Sequence, residues 1–233
     1  MTFLPLILGL LPGFAWLFFY LQEDPHPEPK RLILRTFIFG AASAVFALFA
    51  QLALARVGIV INLSDYLAEH HIDLWAIVSL LILAIVEEVS KFGGAYYAVH
   101  DNPDFDEPVD AMIYMVVAAL GFATVENLSA IAGQPSQVAL IAAAFQTASF
   151  RFVGATLLHT LTSGLIGYYW AKTIRAFGAK RFLVWGLVLA SVLHAIFNYL
   201  ILQFGNIIYP VLFVVLVGFF TLNDFEKLKR ETV

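Results

Sequence analysis

The chain has 233 residues, of which 61% are hydrophobic and only 13% charged, with a formal net charge of -4 and no cysteine. Soluble domains carry roughly 25% charged residues, so this composition excludes a water-exposed globule and places most of the chain in a bilayer. The missing cysteines exclude disulfide frameworks, thiolate metal sites and cysteine nucleophiles, and the acidic balance, with Lys and Arg mostly in short loops, excludes a nucleic-acid-binding face.

A membrane-crossing helix needs about 20 mainly apolar residues. In chain order, that rule predicts spans at Leu4 to Leu21, Leu32 to Ala55, Leu74 to Val99, Val109 to Ala132, Phe152 to Ala171, Phe182 to Gln203 and Ile207 to Leu222. The first has neither a basic start nor a small-x-small cleavage pattern, so it reads as a retained helix rather than a signal peptide. Between the first two spans, Pro25, Pro27 and Pro29 alternate in a connector expected to be stiff and extended. The turn His100 to Pro108 holds Asp101, Asp104, Asp106 and Glu107 but lacks the ligand spacing and central glycine of an EF-hand, so it reads as a solvated acidic turn.

One apolar piece, Val138 to Phe150, is only about half a span. Basic residues near helix ends are retained on the cytoplasmic side. With seven spans and an external N-terminus, Lys30, Arg31, Arg35, Lys172, Arg175, Lys180, Arg181, Lys227, Lys229 and Arg230 are all cytoplasmic, and of the basic residues apart from the polar-cluster residues Lys91 and Arg151 only Arg56 is outside. A crossing by 138–150 would move most of them outward. The segment is therefore expected to be re-entrant, interfacial or an extension of the fifth span. The reading is an all-α polytopic bundle in the cell membrane: one domain over residues 1–233, with a four-helix catalytic core over 74–203.

Charged groups in mid-bilayer cost roughly 2.5–3.5 kcal/mol each on insertion scales, so they are rare without partners or a wet cavity. Here four consecutive spans carry them: Glu87, Glu88 and Lys91 in the third, Glu126 and Asn127 in the fourth, Arg151 and His159 in the fifth, His194 and Asn198 in the sixth. Glu87 and Lys91 are i,i+4 neighbours, as are His194 and Asn198, so each set can point one way on its helix. Packing needs one carboxylate at most; two adjacent ones suit general-base chemistry on water.

These motifs resemble those of the PrsW-type intramembrane proteases, related to the CAAX-processing and bacteriocin-processing membrane proteases. The likeness rests on Glu87-Glu88-x-x-Lys91, on Phe122-x-x-x-Glu126 followed by Asn127, on Arg151 with His159, and on His194-x-x-x-Asn198, with the stretch Asp106 to Asp110 leading to Tyr114 and Gly121-Phe122. Ala111 and Met115 stand where glycines are expected, and Gly93-Gly94 follow the first motif. The resemblance implies hydrolysis of a peptide bond in a membrane-associated protein such as a signalling regulator.

Two chemistries fit the residues. In one, Glu87 is the general base with Glu88 as partner or alternate, His159 and His194 position water or the oxyanion, Asn198 donates to the oxyanion and Glu126 is a second acid. In the other, Glu126, His159 and His194 hold a zinc ion, with Glu87 or Glu88 as base. Lys91 neutralises the glutamate pair, and Arg151 anchors or assists. The rival class is a proton- or cation-coupled transporter, since such groups also form proton relays. Transporter folds repeat their halves, whereas here acids lie on two spans and histidines on the next two.

Overall fold

The computed structural model describes residues 4–22, 26–69, 71–132, 149–176, 178–204 and 206–232, and all regular structure among them is helical. The helices are α1 (Leu4–Tyr20), α2 (Lys30–Arg56), α3 (Leu63–Glu69), α4 (Leu74–Val99), α5 (Asp110–Ala132), α6 (Ala155–Arg175), α7 (Arg181–Phe204) and α8 (Ile208–Thr232). By length and composition α2, α5, α7 and α8 can cross a membrane. Helices α4 and α6, at 26 and 21 residues, are long enough but carry the polar site groups, and α1 has 17 residues.

The short helix α3 was not anticipated. Residues 138–148 of the half-span segment lie outside the described residues. Helical backbone covers 149–153, and Gly154 then interrupts it before α6 begins at Ala155. Arg151 therefore stands on a separate turn ahead of the helix that carries His159.

Helix α5 is the axis of the bundle. Every residue from Asp110 to Thr124 is buried, and α1, α2, α4 and α6 pack around it. A helix apolar on all sides belongs in such a place. The outer helices do the reverse and turn large apolar side chains outward, among them Phe46 at 66%, Phe49 at 66% and Phe219 at 70% exposure. Water would not tolerate so much exposed apolar surface, and lipid does.

Small residues let the backbones meet. A Cβ on Gly40 of α2 would lie 2.0 Å from the Ala118 carbonyl oxygen, and one on Gly121 of α5 would lie 2.0 Å from that of Phe37. Without a hydrophobic drive between helices in lipid, such close packing is a main source of association. Where Ala111 replaces an expected glycine, the close approach comes from the other side: a Cβ on Gly167 of α6 would lie 2.5 Å from Ala111 oxygen. Gly121→Ala is expected to force α2 and α5 apart and to cost about 1–3 kcal/mol. Thermal unfolding of the detergent-purified variant measures it, and an unchanged midpoint would mean that the contact is not needed.

The acidic turn is more ordered than expected. Asp110 is buried, and its Oδ2 accepts the backbone N–H groups of Asp106 at 3.0 Å and Glu107 at 2.7 Å, closing the turn over the start of α5. His26 pairs with Glu107 at 2.8 Å, and the buried Tyr114 hydroxyl donates to Glu28. The proline connector thus does more than span a gap, because it supplies the acceptor that a buried phenol needs. At the opposite end Asp73 caps α4, accepting from Ala76 N–H at 2.9 Å and from the Tyr66 hydroxyl at 2.6 Å; the Tyr66 bond holds its carboxyl below the usual carboxylate range.

Candidate active site

Four helices bring the polar groups together. Glu87, Glu88 and Lys91 lie midway along α4, Glu126 and Asn127 near the end of α5, His159 on the second turn of α6 and His194 past the middle of α7. The α5 and α6 residues put the cluster nearer the end where α5 finishes and α6 begins. It borders a half-open cavity of about 420 Å³, reached by Glu87, Glu126, Arg151, His159, His194 and Asn198.

The two adjacent glutamates are not equivalent. Successive helical residues diverge by about 100°. Glu87 faces the cavity with 14% of its side chain exposed, while Glu88 is sealed at 0%. A single oxygen of Glu88, Oε1, receives Lys91 Nζ at 2.7 Å, His194 Nδ1 at 2.8 Å and the Thr162 hydroxyl at 3.1 Å. Its other oxygen has no hydrogen-bond partner among the described residues. A buried carboxylate is tolerable only with such company.

Lys91 is also fully buried. Besides Glu88 it meets His159 Nδ1 at 3.0 Å and lies 5.5 Å from the Phe122 ring centre. Of the two glutamates it pairs with Glu88 alone, and it also orients a histidine. A lysine only donates, so Nδ1 of His159 accepts and the ring proton sits on Nε2, 2.9 Å from Glu126 Oε2. His194 is arranged the other way round. Its Nδ1 carries a proton toward Glu88, and its Nε2 faces Glu87 Oε2 at 3.6 Å. The two rings stand nearly perpendicular, with centres 5.0 Å apart.

Glu126 is the most exposed of the three carboxylates, at 29%. Arg151 donates from Nη2 to Glu126 at 2.9 Å and from Nε to Asn127 Oδ1, and Asn127 donates to the Thr156 hydroxyl at 3.1 Å. Arg151 therefore reaches the cluster itself instead of serving only as an interfacial anchor. Asn198 lines the cavity. The residue that the motifs leave out is Gln51 of α2, whose Nε2 donates to Glu87 Oε1 at 2.9 Å. The one available signal was a lone amide in an otherwise apolar stretch.

Glu87, His159 and His194 each offer a ligand atom within 4.8 Å of the other two. The carboxylate grouped with both imidazoles is thus Glu87, whereas Glu126 is engaged with His159 and Arg151. Two histidines and a carboxylate are a usual donor set of catalytic zinc, and Glu88 behind His194 supplies the outer carboxylate that such histidines favour. The residues fit such an ion, with one adjustment. His159 Nε2 would give up its proton, relayed by Glu126 at 2.9 Å to the open cavity, so that Glu126 stays a carboxylate.

A helical bundle with a lipid-facing exterior and a carboxylate–imidazole cluster on an internal cavity has the features of a multi-pass membrane hydrolase. The comparisons with known proteins agree. A family profile described as PrsW family intramembrane metalloprotease matches residues 28–222. The protein named Protease PrsW from Geobacillus kaustophilus (strain HTA426) is 33% identical over 83% of this chain and 78% of its own length. Proteins of the same name from Oceanobacillus iheyensis and Bacillus subtilis (strain 168) are 27% and 26% identical, over 97% and 94% of this chain and 96% and 93% of theirs. No solved structure matches. The chain belongs to the PrsW family of intramembrane metalloproteases. Membership decides between the two readings of the polar cluster in favour of proteolysis, in a lipid environment and on membrane-embedded substrates.

Proposed function

We propose that this protease cuts its membrane-protein substrate in the outer half of the cell membrane, using Glu87, His159 and His194 to hold a zinc ion and Glu126 as the proton carrier. The observation that carries the reading is the division of the carboxylates: Glu87 has a ligand atom within 4.8 Å of one on each histidine, Glu88 is sealed behind them and Glu126 remains on the open side.

When bound, such an ion supplies Lewis acidity that activates water and polarises the peptide carbonyl. The chain's own groups do the rest. Glu88 and Lys91 fix the two rings from behind, through His194 Nδ1 and His159 Nδ1. Arg151, itself bonded to Asn127 Oδ1, anchors Glu126 Oε2 on the cavity wall. Hydrolysis adds water across the C–N bond: the water oxygen ends on the carbonyl carbon, and Glu126 takes a proton from that water and passes it to the departing amine nitrogen. Asn198, which lines the cavity, donates to the developing oxyanion.

Purified protein is expected to contain about one zinc per chain by elemental analysis. Its cleavage of a single-span reporter should stop with chelator and return with added zinc. Full activity in metal-free protein would leave Glu87 as a general base acting without an ion.

The proposed orientation puts the N-terminus outside and the C-terminus in the cytoplasm, with seven crossings. This follows from the distribution of basic residues and places the α5–α6 end of the cluster in the outer leaflet. Cysteines introduced at Thr2 and Thr232 should label from opposite sides of intact cells. Labelling of both from one side would reverse the assignment of a span.

A further inference from the structure

Between Ser43 and Arg56 of α2, Gln51 is the only polar residue. A lone amide in a membrane helix costs free energy unless it is hydrogen-bonded, and this one has its donor on the active site. Its position is set by helix geometry. Gly40, Ala44, Ala47 and Gln51 follow i, i+4, i+7, i+11 spacing and so share one face. The first of them locks α2 against the α5 backbone, where a Cβ on Gly40 would clash with Ala118 oxygen at 2.0 Å. The face fixed there delivers Gln51 Nε2 to Glu87 Oε1 at 2.9 Å, with a longer approach to the Leu83 carbonyl at 3.5 Å.

We propose that Gln51 is a positioning residue of the protease: it clamps Oε1 of Glu87 so that Oε2 is presented toward His194 Nε2. The proposal rests on the reading of Glu87 as a cavity-facing ligand. A carboxylate's terminal torsion is broad and roughly two-fold, so an unrestrained Glu87 would exchange its oxygens and lose its direction. A donor on one oxygen removes that freedom. A neutral amide does so without cancelling the carboxylate's charge, as a lysine or arginine would. The site then has supports on two sides, with Glu88 and Lys91 behind the histidines and Gln51 behind the glutamate.

The test compares full-length wild type, Gln51→Met, Glu87→Gln and the double variant in detergent. Methionine keeps the unbranched shape and removes the amide. The readouts are zinc affinity against a competing chelator, kcat and KM on a single-span reporter, and thermal midpoint. Gln51→Met should weaken zinc binding about 10- to 100-fold, the range for outer-shell partners of metal ligands. It should lower kcat with little change in KM and leave the midpoint near that of wild type. In the Glu87→Gln background it should add no further loss of zinc affinity. If Gln51→Met misfolds, Gln51→Leu, which likewise removes the amide without adding charge, carries the same comparison. Wild-type zinc affinity and kcat in Gln51→Met, alongside losses in Glu87→Gln, overturn the role of Gln51 alone. If Glu87→Gln also behaves as wild type, the reading of Glu87 falls as well. A lower thermal midpoint with unchanged zinc affinity would make Gln51 a packing residue and end the proposal.

Discussion

Glu87→Gln is expected to abolish measurable proteolysis while the protein still inserts and unfolds near its wild-type midpoint. The amide keeps the size of the side chain, but it is a poor zinc ligand and cannot accept a proton from water. Proton-transfer catalysis alone contributes about 10²–10⁴-fold, and loss of a metal ligand removes more. Comparison with Glu126→Gln separates the roles. That variant should retain zinc and lose cleavage, whereas Glu87→Gln should lose both. If Glu87→Gln holds zinc as tightly as wild type and is still inactive, Glu87 is the base. If it cleaves at the wild-type rate, the cavity is not where chemistry occurs.

Lys91→Met should be the most destabilising single change in the cluster. Lys91 and Glu88 are both fully buried and 2.7 Å apart. Removing one partner of such a pair costs about 3–5 kcal/mol, because the other charge is left uncompensated. His159 loses its Nδ1 donor in the same step, so activity should fall even in the folded fraction. Adding Glu88→Gln should restore much of the stability, since the glutamine can still accept from His194 and Thr162 while the stranded charge is gone. Denaturant unfolding of both single variants and the double variant gives the coupling between them. Additive losses would show that Lys91 and Glu88 are not an energetic pair.

Much of this arrangement is legible in the sequence because lipid makes charge conspicuous. The limits of α4 coincide with the predicted span from Leu74 to Val99. The same is nearly so for α5, since each apolar run ends in polar loop residues. Helical spacing likewise indicates which groups share a face. It does not give the rotation of one helix against the next, and the remaining features depend on that rotation. Gln51 looks like a tolerated amide in an apolar helix until α2 docks through Gly40 and Gly121. Glu87 and Glu88 look interchangeable until α4 turns one to the cavity and the other to Lys91. The links from Glu28 to Tyr114 and from Arg151 to Glu126 join residues far apart in the chain, and no local pattern announces them.

The Glu87-Glu88 pair also bears on how the site tolerates change. Two identical neighbours suggest redundancy, as if either could cover for loss of the other. The bundle instead gives them different solvents: one carboxylate meets the cavity, and the other sits in a dry layer with a lysine, a histidine and a threonine on one oxygen. The doubled letter is thus a junction between an open compartment and a sealed one. A one-residue insertion or deletion earlier in α4 would rotate the helix by about 100°. It would move the junction off its partners even though every residue of the motif remained.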